Sequence, residues 1–295
     1  MENLDQPDPL DAHFQPFRSK IIGHDQTLEN SSGSEIPLLY ADWIASGRCY
    51  RPIEQRLIED VMPFMSNTHT EQNHCSAYIT KEYQWAREKR KSHVNASDED
   101  VLVSYGSGMT DVINKLQRML GLRIPERFQD RIQLEKHERP LVFVTHMEHH
   151  SNHTSWLETI CEVVVVPPDH AGLVSVSNFE EAIRKHSEDG RPMIAAITAC
   201  SNVTGIETPY YQIATLIHKY GGLCFVDFAC SAPYVELNMN KDDHAYFDAL
   251  TFSPHKFLGG PGSTGILLLK KSLITTEAPD VAGGGTGKWT NPWGC

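Results

Sequence analysis

Seven short apolar runs recur from residue 101 onward, and they constrain the fold more than anything else in the chain. They are Val101–Val103, Leu141–Val144, Val163–Val166, Met193–Ile197, Leu223–Val226, Ala249–Phe252 and Ile266–Leu269. Each is too short for a buried helix, several are rich in β-branched residues, and none alternates with polar residues. That pattern belongs to strands buried on both faces. Helical periodicity falls between several of them, over Thr110–Leu120, Ser177–His186 and Tyr210–Tyr220. Thr208-Pro209 opens the last of these, and Lys219-Tyr220-Gly221-Gly222 stops it. Strand and helix in alternation predict an α/β fold: a mostly parallel seven-stranded sheet with helices on both faces, in three layers.

The remaining segments divide the chain. Residues 1–35 are polar, carry the turn formers Asn30–Ser34, and read as a leader. Residues 36–100 read as an N-terminal helical segment forming one wall of an active site, with helices over Pro52–Val61 and Tyr78–Val94. Residues 101–282 form the large domain, and Arg123–Pro140 within it reads as an exposed, charged insertion. Residues 283–295 read as a Gly- and Trp-rich loop, truncated before a further small domain.

Composition narrows the partners. A formal net charge of −12 argues against nucleic acid and anionic membrane surfaces. No run of 18 apolar residues marks a membrane span, and Met1–Asp5 has neither the basic nor the apolar region of a secretory signal. The seven cysteines are odd in number, form no CxxC pair and mostly sit in or beside apolar runs, as reduced, buried thiols do. The expected location is the cytoplasm, with an organelle left open.

Ligands of open α/β sheets collect beyond the carboxyl ends of the strands, and polar residues follow several of the runs. Gly106-Ser107-Gly108-Met109-Thr110 opens a helix, where free N–H groups and hydroxyls make a phosphate cup or, equally, an ordinary glycine turn and cap. His146-Met147-Glu148-His149-His150-Ser151-Asn152-His153 puts four histidines in eight residues. It lacks the HExxH spacing and any neighbouring Cys, so a ring lying on a planar cofactor is the better functional reading than zinc. Asn202 follows the fourth run and can donate to a phenolate oxygen. Asp227 ends the fifth run, where a buried carboxylate needs a partner: a pyridinium N–H or, equally, a helix N-cap or a buried ion pair. Ser253-Pro254-His255-Lys256 ends the sixth, just before Gly259-Gly260-Pro261-Gly262. A lysine and an aspartate at strand exits suit pyridoxal 5'-phosphate (PLP): the amine forms a Schiff base and the carboxylate keeps the ring nitrogen protonated.

Together these blocks resemble the class V aminotransferase family of fold-type I PLP enzymes over roughly Tyr40 to Gly285, most closely its cysteine desulfurase and selenocysteine lyase branch. Tyr40–Ser46 is similar to that branch's YLDNAAT, on the substrate side of the site. Gly108-Met109-Thr110-Asp111-Val112-Ile113-Asn114 resembles GTTEAIN, which implies Thr110 as a phosphate ligand beside Gly108 and Met109. Glu148–Asn152 is similar to EHHAN, which implies that His149 stacks on the pyridine ring. Ser201–Gly205 matches SNVTG, which implies Asn202 near the phenolate. Asp227 fits the pyridine-nitrogen aspartate, and Ser253-x-His255-Lys256 fits S-x-HK, with Ser253 and His255 at the phosphate and Lys256 as the Schiff-base lysine. Two departures stand out. Cys230 occupies a cofactor position where desulfurases usually carry glutamine, and Asn67–Glu71 only loosely resembles N-x-HRG. The family's substrate-binding arginine, sulfur-accepting cysteine and a threonine crossing the dimer interface have no counterpart here.

The resemblance implies a PLP-dependent transferase or lyase acting on an amino acid, a homodimer in full-length form, with Lys256 and His149 as catalytic residues. The alternatives are a catalytically impaired PLP-binding remnant and, more remotely, a zinc hydrolase built on His146–His153.

Overall fold

A computed structural model describes residues 8–68 and 70–283, which divide into two compact units, the described residues up to Thr80 with His255–Gly262, and Lys81–Pro254 with the described residues from Ser263 onward. Of the expected loop over 283–295, all but Gly283 lies outside the described residues.

The first unit holds α1 (Pro9–Arg18), a hairpin of β1 (Thr27–Glu29) and β2 (Glu35–Pro37), and α2 (Arg51–Arg56), which runs on into a π-helical turn over Leu57–Val61. Asp8 caps α1 by accepting the Leu10 N–H at 2.9 Å, with proline in the first turn. Asn30 Oδ1 closes the hairpin turn by accepting from Ser32 and Ser34 N–H, each at 3.0 Å. A longer helix, α3 (His74–His93), starts in this unit and continues into the second.

The second unit contains β3 (Asp100–Tyr105), α4 (Met109–Met119), α5 (Glu126–Gln129), β4 (Leu141–Thr145), α6 (His150–Leu157), β5 (Glu162–Val166) and α7 (Val176–His186). It continues with β6 (Met193–Thr198), α8 (Tyr210–Lys219), β7 (Leu223–Asp227), β8 (Ala249–Phe252) and β9 (Gly265–Lys270). All seven apolar runs become strands of one sheet, ordered β3-β9-β8-β7-β6-β4-β5. β5, β4, β6, β7 and β8 are parallel neighbours. β9 runs antiparallel to both β3 and β8, so β3 points the same way as the parallel set.

Burial follows position in the sheet. Every residue of β4, β6 and β8 is buried, whereas the edge strands β3 and β5 are only partly covered. α4 buries Met109, Val112, Ile113 and Leu116, one stripe at helical spacing, into a core shared with Val142, Val144, Trp156 and Phe225. α7 begins at Ser175, whose hydroxyl accepts the Asn178 N–H at 3.1 Å, and buries Phe179 and Ile183.

At the sheet end remote from the strand exits, His218 pins the link into β8. Its Nδ1 lies 2.9 Å from the His244 carbonyl and its Nε2 lies 2.9 Å from Asp248. A carbonyl and an ionised carboxylate only accept, so these two contacts favour a proton on both ring nitrogens. It stacks on Tyr246 with centroids 4.0 Å apart. Burial pulls the His218 pKa down, but hydrogen bonds to Asp248 and the His244 carbonyl outweigh it and leave the pKa raised from 6.5. Its stabilisation is therefore full below the free-histidine value and is lost as pH rises through the raised one. His218→Phe keeps the ring stack and removes the charge. We expect it to cost about 1–3 kcal/mol near pH 6 and less near pH 8, by urea denaturation. An equal loss at both pH values would show that the ring is not charged.

Candidate active site

Because β3, β4, β6, β7 and β8 share one direction, their carboxyl ends deliver five turns to one edge of the second unit. β3 exits into Gly106-Ser107-Gly108. Gly106 has φ +59°, and a Cβ there would strike the Asp111 side chain, which accepts from the Ser107 N–H at 2.7 Å and hydroxyl at 3.0 Å. Gly108 is the N-cap of α4. The Met109 N–H donates to buried Ser253 Oγ at 2.9 Å, which joins the start of α4 to the exit of β8. Thr110, one residue on, is exposed, and its Oγ1 lies 2.6 Å from Ser151 Oγ.

Ser151 belongs to the first turn of α6, so two packed helices bring their N-termini and two hydroxyls together. His149 is the N-cap of α6: its Nδ1 accepts the Ser151 N–H at 3.1 Å and lies 3.1 Å from Ser151 Oγ. The neutral ring therefore carries its proton on Nε2. Glu148 accepts from Thr145 Oγ1 at 2.6 Å, Thr198 N–H at 2.9 Å and Asn152 Nδ2 at 2.7 Å. Burial, with a smaller push from Asp227, raises its pKa to about 7 against the pull of those donors.

Asp227 ends β7, is 4% exposed, and accepts the Ala229 N–H at 2.8 Å through Oδ1. It is level with Thr198 on β6 and Thr251 on β8. Asn202 is half-buried in the turn after β6. Buried Cys230 donates its thiol to the Cys200 carbonyl at 3.0 Å, and burial raises the Cys200 pKa. The six described cysteines are free thiols.

Within the first unit, half-buried Lys256 is framed by two backbone bonds to one segment. Gly47 N–H donates to the His255 carbonyl at 2.8 Å, and Gly259 N–H donates to the Arg48 carbonyl at 2.8 Å. A Cβ at Gly47 would fall on the Phe257 carbonyl, so the approach requires glycine there. Chain continuity puts Lys256 three residues beyond Ser253.

The histidine cluster does not act as a group. His146 Nε2 lies 3.0 Å from the Gly172 carbonyl, while His149 caps α6. Among the described residues no three His, Cys, Asp or Glu side chains are arranged to hold a metal ion, so the zinc alternative has no ligand set there. His69, within the Asn67–Glu71 segment, lies outside the described residues. Sequence reasoning missed Glu148 and Ser151. Both stand in the motif that carries His149, and a carboxylate four residues past a fully apolar run was the available signal.

The family model for class-V aminotransferases matches residues 39–291, and the chain belongs to that family. Among curated proteins it is 27% identical over 252 residues to a probable cysteine desulfurase of Halalkalibacterium halodurans, covering 84% of this chain and 57% of that one. It is 29% identical over 255 residues to probable cysteine desulfurase 1 of Mycobacterium leprae, covering 84% of this chain and 38% of that one. The chain thus spans less than two thirds of these relatives' length. Among solved structures, a cysteine desulfurase from Escherichia coli aligns with a TM-score of 0.63 and 26% identity over 88% of this chain and 58% of its own. The apo cysteine desulfurase of Thermococcus onnurineus shares the fold, with a TM-score of 0.69 at 22% identity over 87% of this chain and 60% of its own. PLP is the cofactor of this family.

The residues present fit that cofactor. Two helix N-termini with the hydroxyls of Thr110 and Ser151 suit a phosphate, and a buried carboxylate at the end of β7 suits a protonated ring nitrogen. Gly47→Ala tests the packing beneath Lys256. Hydrogen exchange at the Gly259 amide should accelerate about tenfold, with helix content unchanged. Wild-type protection in that variant would show that Gly47 does not set the turn.

Proposed function

We propose that this chain is the cofactor-binding part of a PLP-dependent enzyme that acts on an amino acid, of the cysteine desulfurase kind. The contact between Thr110 Oγ1 and Ser151 Oγ, 2.6 Å apart at two converging helix N-termini, carries the reading. It gathers neutral donors and two positive helix ends where a phosphate dianion is stabilised. The name of the Halalkalibacterium relative supports cysteine as the substrate class.

In this reading each polar exit has one task. Thr110, Ser151 and the first-turn N–H groups of α4 hold the phosphate, while Ser253 keeps Met109 and the α4 start in place. Asp227 holds a proton on the ring nitrogen. His149 covers one face of the ring and excludes water from it. Asn202 donates to the phenolate oxygen. Lys256 Nζ would hold the cofactor covalently, and its amine would serve as base and acid for a substrate proton. Bound PLP supplies an electron sink for a carbanion at the substrate carbon. Cys230 stands where desulfurases usually place an amide, and its one thiol proton is directed to the Cys200 carbonyl. The expected assembly is a homodimer of the full-length form.

The test is reconstitution. Purified protein with added PLP should acquire visible absorption that survives desalting, and Lys256→Ala should lose at least about 90% of it, as expected for a covalent amine anchor. A colourless wild type would overturn the reading. Cysteine and alanine are then added to the loaded protein, and sulfide, pyruvate and spectral shifts are followed. Turnover of cysteine supports the desulfurase kind. No response to any amino acid leaves a cofactor-binding protein without turnover.

A further inference from the structure

Glu148 has no assigned task among the cofactor-holding residues, yet its carboxylate accepts four hydrogen bonds at the strand exits. Oε1 accepts the Thr145 hydroxyl at 2.6 Å, the Thr145 N–H at 3.3 Å and the Thr198 N–H at 2.9 Å. Oε2 accepts Asn152 Nδ2 at 2.7 Å. The direction of each bond is fixed by a further partner. Thr145 Oγ1 accepts the Met147 N–H at 3.0 Å, so its own proton is directed to Glu148. Asn152 Oδ1 accepts Trp156 Nε1–H at 3.3 Å, and an indole nitrogen only donates, so the amide turns its NH₂ toward Glu148. Donors thus reach one carboxylate from the end of β4, the end of β6 and the first turns of α6.

That carboxylate closes the turn from which His149 hangs. Met147 is bonded on one side of it through Thr145, Asn152 on the other, and the Asn152 N–H also holds the His149 carbonyl at 2.8 Å. His149 sits in extended conformation with φ −61° and ψ 144°, its Nδ1 committed to Ser151. We infer that Glu148 is the positioning residue for His149: its carboxylate ties β4, β6 and α6 together so that the ring is presented in one orientation and one tautomer. The inference rests on the PLP reading for what that ring covers, but not for the ring's geometry.

The experiment separates the two. In E148Q an amide NH₂ faces the Asn152 NH₂, donor against donor. N152D added to E148Q places a carboxylate that accepts from that amide and still accepts from Trp156 Nε1. Two readouts are taken. Nitrogen-15 NMR of the His149 ring in cofactor-free protein reports its tautomer, and titration with PLP reports the dissociation constant and the visible circular dichroism of the bound cofactor. Wild type should show one His149 tautomer, protonated at Nε2. E148Q should show a mixture, bind PLP about tenfold more weakly and lose most of the induced dichroism. E148Q/N152D should restore the single tautomer and bring the dissociation constant to within about threefold of wild type. A wild-type His149 signal and wild-type PLP dissociation constant in E148Q would overturn the inference. So would a double variant that regains thermal stability without regaining the tautomer. If E148Q does not fold, T145V, which removes only the hydroxyl donor, must show the tautomer mixture, and its absence overturns the inference equally. If wild type fails to bind PLP, the cofactor reading falls, while the NMR comparison still decides whether Glu148 positions His149.

Discussion

The parallel pairing of β4, β6, β7 and β8 is the constraint on which everything else depends. Strands that run side by side in one direction must leave the sheet at the same edge, and with both faces covered they leave it polar groups that only other exits can satisfy. The bonds show this directly. Thr198 N–H goes to Glu148, Ala199 N–H to the Asp227 carbonyl, Phe228 N–H to the Thr251 carbonyl, and Met109 N–H to Ser253. The ladder and the candidate site are one hydrogen-bonded system, so the groups that would touch a cofactor are also those that finish the sheet.

That arrangement places two carboxylates, Asp227 and Glu148, at the ends of neighbouring elements. Asp227 is directed by the Ala229 N–H, and Glu148 is surrounded by donors from three elements. Burial lifts the Glu148 pKa to about 7, and the Asp227 charge adds to it. A cation held at Asp227 would lower the cost of keeping both ionised.

The strands were legible, and each run became a strand; burial on both faces explains the unbroken apolar runs of the inner strands, while β3 and β5 carry such runs although, as edge strands, they are only partly covered. The reversed direction of β9 was not legible. Ile266–Leu269 is as apolar as its neighbours, and direction is set by the connection from β8, which carries only a 3₁₀ turn over Pro254–Lys256 instead of a crossover helix. α1 and the hairpin of β1 and β2 were read as a polar leader, because none of their residues is buried and no burial pattern marks them. At the site, Thr110, His149, Asn202, Asp227 and Ser253 could be singled out because each follows an apolar run by a few residues. Glu148 also follows an apolar run by a few residues, but what sets it and Ser151 apart is their partners Thr198 and Thr110, about fifty and forty residues away, which meet them only through the sheet and the packing of α4 on α6.

The central claim is that these strand exits hold PLP with Lys256 as its covalent anchor. Borohydride reduction of the PLP-loaded protein, followed by proteolysis and peptide mass mapping, tests it most directly. The expected result is one modified peptide, containing Ser253-Pro254-His255-Lys256, with the label on Lys256. A label on another lysine, or no label on a protein that remains folded, would contradict it.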